Sequence, residues 1–201
     1  MKPVEQPDGS LLINCTTSIM QIVLRMFKNT PSCQIAIKCN QCLQEDLKDV
    51  IAPFLYMADI KSGLLDLTTL SNLSMKSRCQ TLACNGYRET SIASTGDMVI
   101  FEIFNADENQ VVKLNSLPKG FENPINADEK YRLVGVVDLT QRATRRRSHE
   151  NINSEVGTMG HFTAICLRGT EWWEYDDTQD QPRMKKGSAY VNAQILVYVR
   201  E

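Results

Sequence analysis

Alternating and helical patterns of apolar residues predict one helix near the N-terminus and strands after it. In residues 18–27, apolar side chains recur every three or four positions, which predicts a helix of about three turns that Thr or Ser caps. A break at Pro31 follows. The alternation over residues 34–39 then predicts a half-buried strand that delivers Cys39.

The rest of the chain predicts mostly sheet. Residues 98–104 are apolar on both faces, so this strand belongs inside a sheet. Residues 54–60 predict an extended strand and residues 64–70 a short helix, whereas the polar run 141–160 predicts a long, mobile loop. Five more segments between turn residues predict strands, namely 110–114, 131–138, 162–167, 172–175 and 194–200.

Composition and charge are those of an ordinary globular domain. The chain has 201 residues, 42% hydrophobic and 23% charged, which argues against general disorder and favours one domain. Its formal net charge of −2 argues against a protein that mainly neutralises nucleic-acid phosphates. The apolar stretches are shorter than the roughly 20 residues of a membrane-spanning helix, and no secretory signal begins the chain. We therefore expect an intracellular protein, cytoplasmic or nuclear, without a membrane partner.

Seven cysteines, an odd number, favour reduced thiols or a metal site over a disulfide framework. Cys39 and Cys42 are separated by two residues, and Cys79 and Cys84 by four. Two thiolates on a turn can grip one ion, and four complete the tetrahedral shell of zinc. Four buried free thiols are the alternative. Cys33 is close enough in sequence to replace one ligand.

His161 begins one predicted strand, and Asp176 and Asp177 end the next. Gly160 admits close backbone approach, and a hairpin closed by the turn at residues 168–171 would return the Asp176 end to His161. A carboxylate there can accept the ring N–H, fix the tautomer and leave the other nitrogen to take a proton from a nucleophile. The spacing alone leaves open a surface histidine beside an acidic turn.

Four ordered motifs resemble the C-terminal box of the ubiquitin-specific proteases. That family has Tyr-x-Leu, a Gly-His-Tyr-Thr-Ala strand, a Trp-x-x-Phe-(Asp or Asn)-Asp turn and a closing Ala-Tyr-x-Leu-x-Tyr strand. The resemblance implies a papain-like cysteine protease in which His161 is the general base, Asp176 the third triad member and Asp177 a neighbouring acid. The matching segments are Tyr131-Arg-Leu, Gly160-His-Phe-Thr-Ala, Trp173-Glu-Tyr-Asp-Asp and Ala193-Gln-Ile-Leu-Val-Tyr.

The cysteine pairs resemble the finger region of the same family, where two pairs at the tips of β-hairpins bind zinc. The second pair departs from the usual separation of two residues. The resemblance implies an α+β fold with a papain-like cysteine protease palm, an antiparallel sheet and a zinc-binding β-finger, the helical thumb being largely missing. One ubiquitin-specific protease-like domain would span residues 1–201, with the finger at 28–97 and the palm at 98–201. The implied zinc ligands are Cys39, Cys42, Cys79 and Cys84.

The segment that would supply the nucleophile departs from the family's pattern. The cysteine box of the family reads Asn-x-Cys-Tyr-x-Asn-Ser-x-Leu-Gln. Here the candidate is Asn14-Cys-Thr-Thr-Ser-Ile-Met-Gln, one residue short between Cys15 and Ser18. A cysteine at a helix start would have a lowered pKa. However, Cys15 is too close to Cys39 for a helical thumb between them, so we expect the chain to begin after the thumb and Cys15 to be a buried thiol far from His161. The helix should cover the sheet near the finger with Ile19, Ile22, Val23 and Phe27.

The function that the resemblance implies is cysteine-type deubiquitination. The reaction is hydrolysis of the bond after the C-terminal glycine of ubiquitin, and the partner is ubiquitin or a ubiquitinated protein. An inactive or truncated ubiquitin-binding scaffold without the nucleophile is the alternative. A zinc-ribbon nucleic-acid binder that uses the cysteines and the arginines at 145–147 is a third hypothesis, but a solvated loop explains those arginines more simply.

Overall fold

The computed structural model describes residues 4–5, 11–12, 19–61, 77–104, 111–123, 125–141 and 160–201, which form mostly strands. Helix α1 is Ile19–Met26 and the short helix α2 is Met57–Lys61. None of the helices in these ranges is long and apolar enough to cross a membrane. The strands are β1 (Val4–Glu5), β2 (Leu11–Leu12), β3 (Cys33–Cys39), β4 (Glu45–Val50), β5 (Phe54–Tyr56), β6 (Ser77–Arg78), β7 (Tyr87–Thr95), β8 (Met98–Phe104), β9 (Val112–Lys113), β10 (Gly120–Glu122), β11 (Lys130–Gln141), β12 (Gly160–Arg168), β13 (Glu171–Tyr175), β14 (Arg183–Lys185), β15 (Tyr190–Val191) and β16 (Ala193–Arg200).

An eight-stranded sheet forms the larger part of the described fold. Its order is β14-β13-β12-β11-β16-β8-β5, and β10 also pairs with β11. The pairings are antiparallel except that of β5 with β8. A separate four-stranded sheet has the order β4-β3-β7-β6. Because β12, β13 and β14 follow one another in hairpins, the C-terminal segments with the polar candidate residues lie side by side.

One face of the large sheet carries the main hydrophobic core. Phe101 and Tyr198 have no exposed surface, and their rings are 5.8 Å apart. Phe121 packs on Tyr198 at 4.9 Å, and Ile165 and Trp172 extend the same cluster under β12 and β13. Burial of one such side chain contributes about 1.5–3 kcal/mol, so this layer fixes the strands that carry the candidate site.

Helix α1 covers the opposite face of the large sheet. Val23 is buried against Ile100 and Ile195, and Ile19 and Phe27 pack on the same cluster. The prediction that Ile19, Val23 and Phe27 cover the sheet is therefore confirmed. The prediction for the fourth, Ile22, is wrong, since this side chain is 40% exposed.

The smaller sheet is joined to the larger one by hydrogen bonds at its base. The buried Ser32 hydroxyl donates to the Ile51 carbonyl at 2.5 Å and accepts the Ile100 N–H at 2.8 Å. Directly after β7, the Gly96 carbonyl accepts a hydrogen bond from the Tyr131 hydroxyl of β11 at 2.6 Å. These bonds anchor the two central strands of the smaller sheet, β3 and β7, to the core of the larger one.

Several elements differ from the sequence prediction. The strand predicted over 54–60 ends at Tyr56, and α2 begins at Met57 because Met57 and Ile60, three positions apart, are both buried. The strand predicted over 110–114 is the two-residue β9, followed by a 3-10 helix at Leu114–Ser116. The helix predicted at 64–70 lies outside the described residues. Of the loop predicted over 141–160, Gln141 belongs to β11 and Gly160 to β12, and the residues between them lie outside the described residues.

Candidate active site and metal centre

His161 and Asp176 form a direct contact at the end of the β12–β13 hairpin. His161 Nε2 lies 2.8 Å from Asp176 Oδ1, and the two side chains are 21% and 9% exposed. In the neutral imidazole, contact with an ionised carboxylate, which can only accept, selects the tautomer whose Nε2–H donates a hydrogen bond to Asp176. Nδ1 is then the unprotonated nitrogen, and it is the one that can take a proton from another group.

The strand register explains how residues 15 positions apart meet. Ala164 lies opposite Tyr175 in the β12–β13 pair, so Asp176 follows directly across from Thr163, two residues from His161. The turn between the strands contains Gly169 with φ of 60°, a conformation that glycine adopts without strain. The hairpin therefore returns the acidic end of β13 to the start of β12, as the sequence predicts.

Neighbouring groups orient the Asp176 carboxylate. Its Oδ1 accepts the Thr178 backbone N–H at 2.9 Å and the Thr178 hydroxyl at 2.6 Å, the pattern of an Asx turn. Asp177 Oδ1 lies 3.4 Å from the same His161 nitrogen, but its side chain is 84% exposed. Asp176 is thus the closer and more buried of the two carboxylates, and Asp177 is a solvated neighbour.

A polar cavity of about 280 Å³ adjoins this pair. Asp176, Thr140 and Thr163 line it together with a group of charged side chains from β11, β13 and β14. Lys185 lies 2.5 Å from Glu174 and 3.4 Å from Asp138 within that group. The sequence pattern did not mark these three residues, because an ion pair across several strands leaves no local periodicity.

A nucleophile is not among the described contacts of His161. In the part of the chain that the structure describes, its recorded polar contacts are with Asp176 and Asp177. Cys15 lies outside the described residues, so the prediction that it is far from His161 stays a prediction. Cys166 lies on β12, half-buried and five residues along the strand from His161.

Four cysteine sulfurs converge at one end of the four-stranded sheet. Cys39 Sγ lies 3.6 Å from Cys84 Sγ, and Cys42 Sγ lies 3.7 Å from Cys79 Sγ. All four sulfurs lie within 4.8 Å of one another. A tetrahedron of sulfurs at the usual Zn–S distance of about 2.3 Å has edges of roughly 3.8 Å. The four cysteines thus fit one structural zinc ion.

Two of these sulfurs have surroundings that favour the thiolate form that binds metals. Hydrogen bonds from the side chain and backbone of Thr81 lower the pKa of Cys79 to about 6. Backbone hydrogen bonds from Cys42 and Gln41 lower the pKa of Cys39. At Cys84 the Gly86 N–H donates to Sγ at 3.4 Å and lowers the pKa, but burial and the neighbouring cysteines outweigh it and raise the pKa to about 11. N–H bonds to sulfur are the interactions that stabilise ligand thiolates in metal sites.

The backbone at the two cysteine turns is unusual. Leu43 and Ala83 have φ of 57° and 64°, in the left-handed region that non-glycine residues seldom occupy. Gly86 approaches so closely that a Cβ there would lie 2.7 Å from Cys39 Sγ. This glycine was missed from the sequence, although a glycine two residues after a ligand cysteine is a usable signal for close approach.

Cys33 is not part of the cluster, so the possibility that it replaces one ligand is wrong for the described structure. It begins β3 whereas Cys39 ends it, and six residues of strand separate them by roughly 20 Å. Cys33 is 2% exposed, and burial raises the pKa of its thiol to about 11. It is a neutral core residue.

Comparison with solved structures finds a likeness of fold to deubiquitinase (DUB) modules. The SAGA Ubp8/Sgf11/Sus1/Sgf73 DUB module is 15% identical over 86% of this chain, with a TM-score of 0.52. A second structure of the Ubp8-Sgf11-Sgf73-Sus1 module is 16% identical over 94%, with a TM-score of 0.52. The SAGA DUB module bound to monoubiquitin is 14% identical over 86%, with a TM-score of 0.50.

These comparisons bear on the fold. The chain spans 38% to 42% of the length of the three solved chains. No protein-family model matches the sequence, and no curated protein does. The described part is a mostly β fold with a curled antiparallel sheet and a possible four-cysteine metal cluster, which is consistent with a DUB-like fold.

Proposed function

We propose that this chain is a ubiquitin-specific protease-like domain that serves cysteine-type hydrolysis of the bond after the C-terminal glycine of ubiquitin. The observation that carries the proposal is the contact of 2.8 Å between His161 Nε2 and Asp176 Oδ1. It occurs in a fold similar to DUB modules, one of which was solved with monoubiquitin. The partner is ubiquitin or a ubiquitinated protein.

In this mechanism His161 is the general base and Asp176 holds it in position. Asp176 accepts a hydrogen bond from Nε2–H, which directs Nδ1 toward the thiol that must lose a proton to attack the carbonyl carbon. The imidazolium that forms is stabilised by the same carboxylate and later gives its proton to the leaving amine. Asp176 is fixed by Thr178, so the pair is oriented before substrate arrives.

The proposed domain has two parts. The finger, residues 28–97, contains the four cysteines that would hold one zinc ion, and the palm, residues 98–201, contains His161 and Asp176. Zinc would supply folding free energy to the finger and take no part in the reaction. The palm would be the sheet half of a papain-like cysteine protease.

The nucleophile of such a reaction would be a cysteine thiol. Cys33 is buried and protonated, four others form the metal cluster, and Cys166 lies five residues along β12 from His161. Cys15 lies outside the described residues, and we expect it to be far from His161. The short spacing between Cys15 and Ser18 favours the alternative function, a ubiquitin-binding scaffold that keeps the histidine end of the site without the nucleophile.

Turnover of a ubiquitin–fluorophore substrate tests this proposal. A catalytic chain releases the fluorophore, and in it His161→Ala should lower kcat/KM at least roughly 100-fold because a general base is removed. The melting temperature and the affinity for ubiquitin should stay unchanged, since the side chain is partly exposed. Ubiquitin binding without turnover in the wild type would support the scaffold instead. Retained turnover in His161→Ala would remove this residue from the mechanism.

A further inference from the structure

Lys185 lies at the centre of the charged cavity beside the His161–Asp176 pair. Its ammonium donates to Glu174 Oε1 at 2.5 Å and to Asp138 Oδ2 at 3.4 Å. The three side chains are only 18%, 23% and 7% exposed. Asp138 Oδ1 also accepts the Asn192 N–H at 2.7 Å. One lysine thus connects three strands and the segment that leads into β16.

The contacts cross the sheet rather than follow one strand pair. Lys185 is on the edge strand β14, Glu174 is on the adjacent β13, and Asp138 is on β11 beyond β12. In a flat sheet three strand steps would separate β14 from β11 by roughly 14 Å. Because Lys185 on β14 also contacts Asp138 on β11, the sheet must curl over the cavity. The contacts of Lys185 resist flattening of the sheet.

Both members of the pair lie next to this bridge. Glu174 is on β13, two residues before Asp176, which directly follows the strand, and both side chains line the cavity. Asp138 lies directly opposite Thr163, which follows His161 by two residues on β12. The Thr163 hydroxyl also donates to Glu174 at 3.5 Å. Movement of β13 relative to β11 and β12 would change the distance between His161 and Asp176.

We propose that Lys185 is a positioning residue that sets the His161–Asp176 contact by bridging Glu174 and Asp138. The inference rests on the proposed function only because that function gives the His161–Asp176 pair a catalytic role.

The charges in the cavity support the bridge. Burial raises the pKa of the Asp138 carboxyl, while the Asn192 N–H and the Lys185 ammonium act in the opposite direction. Lys185 therefore helps to keep a buried acid ionised. Without the ammonium, Asp138 and Glu174 would lose the cation that joins them, and burial together with Glu174 would favour the neutral form of Asp138.

Nuclear magnetic resonance of the imidazole N–H tests the proposal without any need for turnover. The chain has two histidines, so His149→Gln leaves His161 as the only imidazole. In that background a protected, hydrogen-bonded Nε2 proton should be visible in the otherwise wild-type chain. Lys185→Met should make its exchange with water at least about tenfold faster or abolish the signal. Lys185→Arg should retain the signal.

Lys186→Met is the matched control, because Lys186 is the adjacent and exposed lysine. It should leave the proton unchanged. Lys185→Met leaves two carboxylates without their cation. The variant Glu174→Gln/Lys185→Met therefore provides a second test. It retains only the Asp138 carboxylate of the two, and this group still accepts the Asn192 N–H. Circular dichroism identifies the folded variants.

An unchanged Nε2 proton in a folded variant without Lys185, or an equal effect of Lys186→Met, would overturn the proposal. Failure of the proposed function gives a different result. A wild type that does not hydrolyse ubiquitin substrates but shows the expected changes in exchange supports the positioning role, whereas normal turnover with unchanged exchange contradicts it.

Discussion

At the scale of single residues, two adjacent acids beside His161 have different environments. Asp176 is 9% exposed and lies 2.8 Å from Nε2, whereas Asp177 is 84% exposed and lies 3.4 Å away. Asp176 is further held by Thr178 through two hydrogen bonds. Because an exposed charge is screened by solvent, Asp176 should dominate the orientation and electrostatics of the imidazole.

Substitution of each acid by its amide separates their roles. Asp176→Asn should lower kcat by about 10³ to 10⁴, because an amide can present its NH₂ to the ring and favour the wrong tautomer. Asp177→Asn should change kcat less than about fivefold, as expected for an exposed pair. Steady-state hydrolysis of a ubiquitin–fluorophore substrate measures both, and equal losses in the two variants would contradict the assignment.

Gly86 lies against the metal cluster, where there is no room for a side chain. In Gly86→Ala the new methyl group would lie 2.7 Å from Cys39 Sγ, closer than van der Waals contact permits. We expect the metal content of purified protein to fall from about one ion per chain to well below half, because the sulfur must move out of the tetrahedral shell. Asn85→Ala, at an adjacent exposed position, should keep the full metal content. Full occupancy in Gly86→Ala, measured by elemental analysis, would show that the shell tolerates this displacement.

At the scale of elements, few apolar residues hold together the end of the smaller sheet that carries the four cysteines. This end consists of the end of β3 and the segment between β6 and β7. Leu82 is 96% exposed and Leu43 65% exposed, so this end of the smaller sheet lacks a core of its own. A metal ion is the usual substitute for a core in such small units. The other end of the sheet is anchored to the palm through Ser32.

Removal of the metal ligands in pairs tests this dependence. Wild-type protein should contain about one zinc per chain, and replacement of Cys39 and Cys42, or of Cys79 and Cys84, by serine should abolish binding and unfold the finger. Cys166→Ser, which alters a half-buried cysteine on β12, should retain the zinc. Zinc analysis together with backbone amide exchange reports both effects. Wild-type protein without zinc would refute the metal site.

Elements with a strong apolar pattern could be predicted from the sequence. The strand at Met98–Phe104 was identified because it is apolar on both faces, and the structure places it between β16 and β5. Helix α1 followed from its apolar spacing. The contact between His161 and Asp176 followed from hairpin geometry, since a short turn with Gly169 limits the register to few possibilities. The convergence of the cysteine pairs, which the resemblance implied, is also found.

Elements stabilised by distant partners could not be predicted. The strand at Glu45–Val50 is almost entirely exposed and charged, and it exists because it hydrogen-bonds along the edge of β3. The strand at Tyr87–Thr95 has a polar pattern and is ordered between β3 and β6. The contact of Lys185 with Asp138 joins residues 47 positions apart, and no local periodicity encodes it.

At the scale of the whole molecule, the proposed finger and palm would act together on one ligand. The likeness to DUB modules extends over 86% to 94% of the chain, so both sheets contribute to it. In the proposed function, the C-terminal glycine of ubiquitin lies at the His161 end of the palm. An active protease and a scaffold would both hold the tail of ubiquitin there, because its position does not depend on attack by a thiol.

The most direct measurement is the imidazole resonance of His161 during titration with ubiquitin, in the His149→Gln background. We expect intact ubiquitin to shift this resonance in a saturable manner. Ubiquitin that lacks its C-terminal glycines should still bind the chain, with little or no shift of His161, because the tail no longer reaches the pair. An unperturbed His161 at saturation with intact ubiquitin, or an equal shift with the truncated protein, would contradict the assignment of this site.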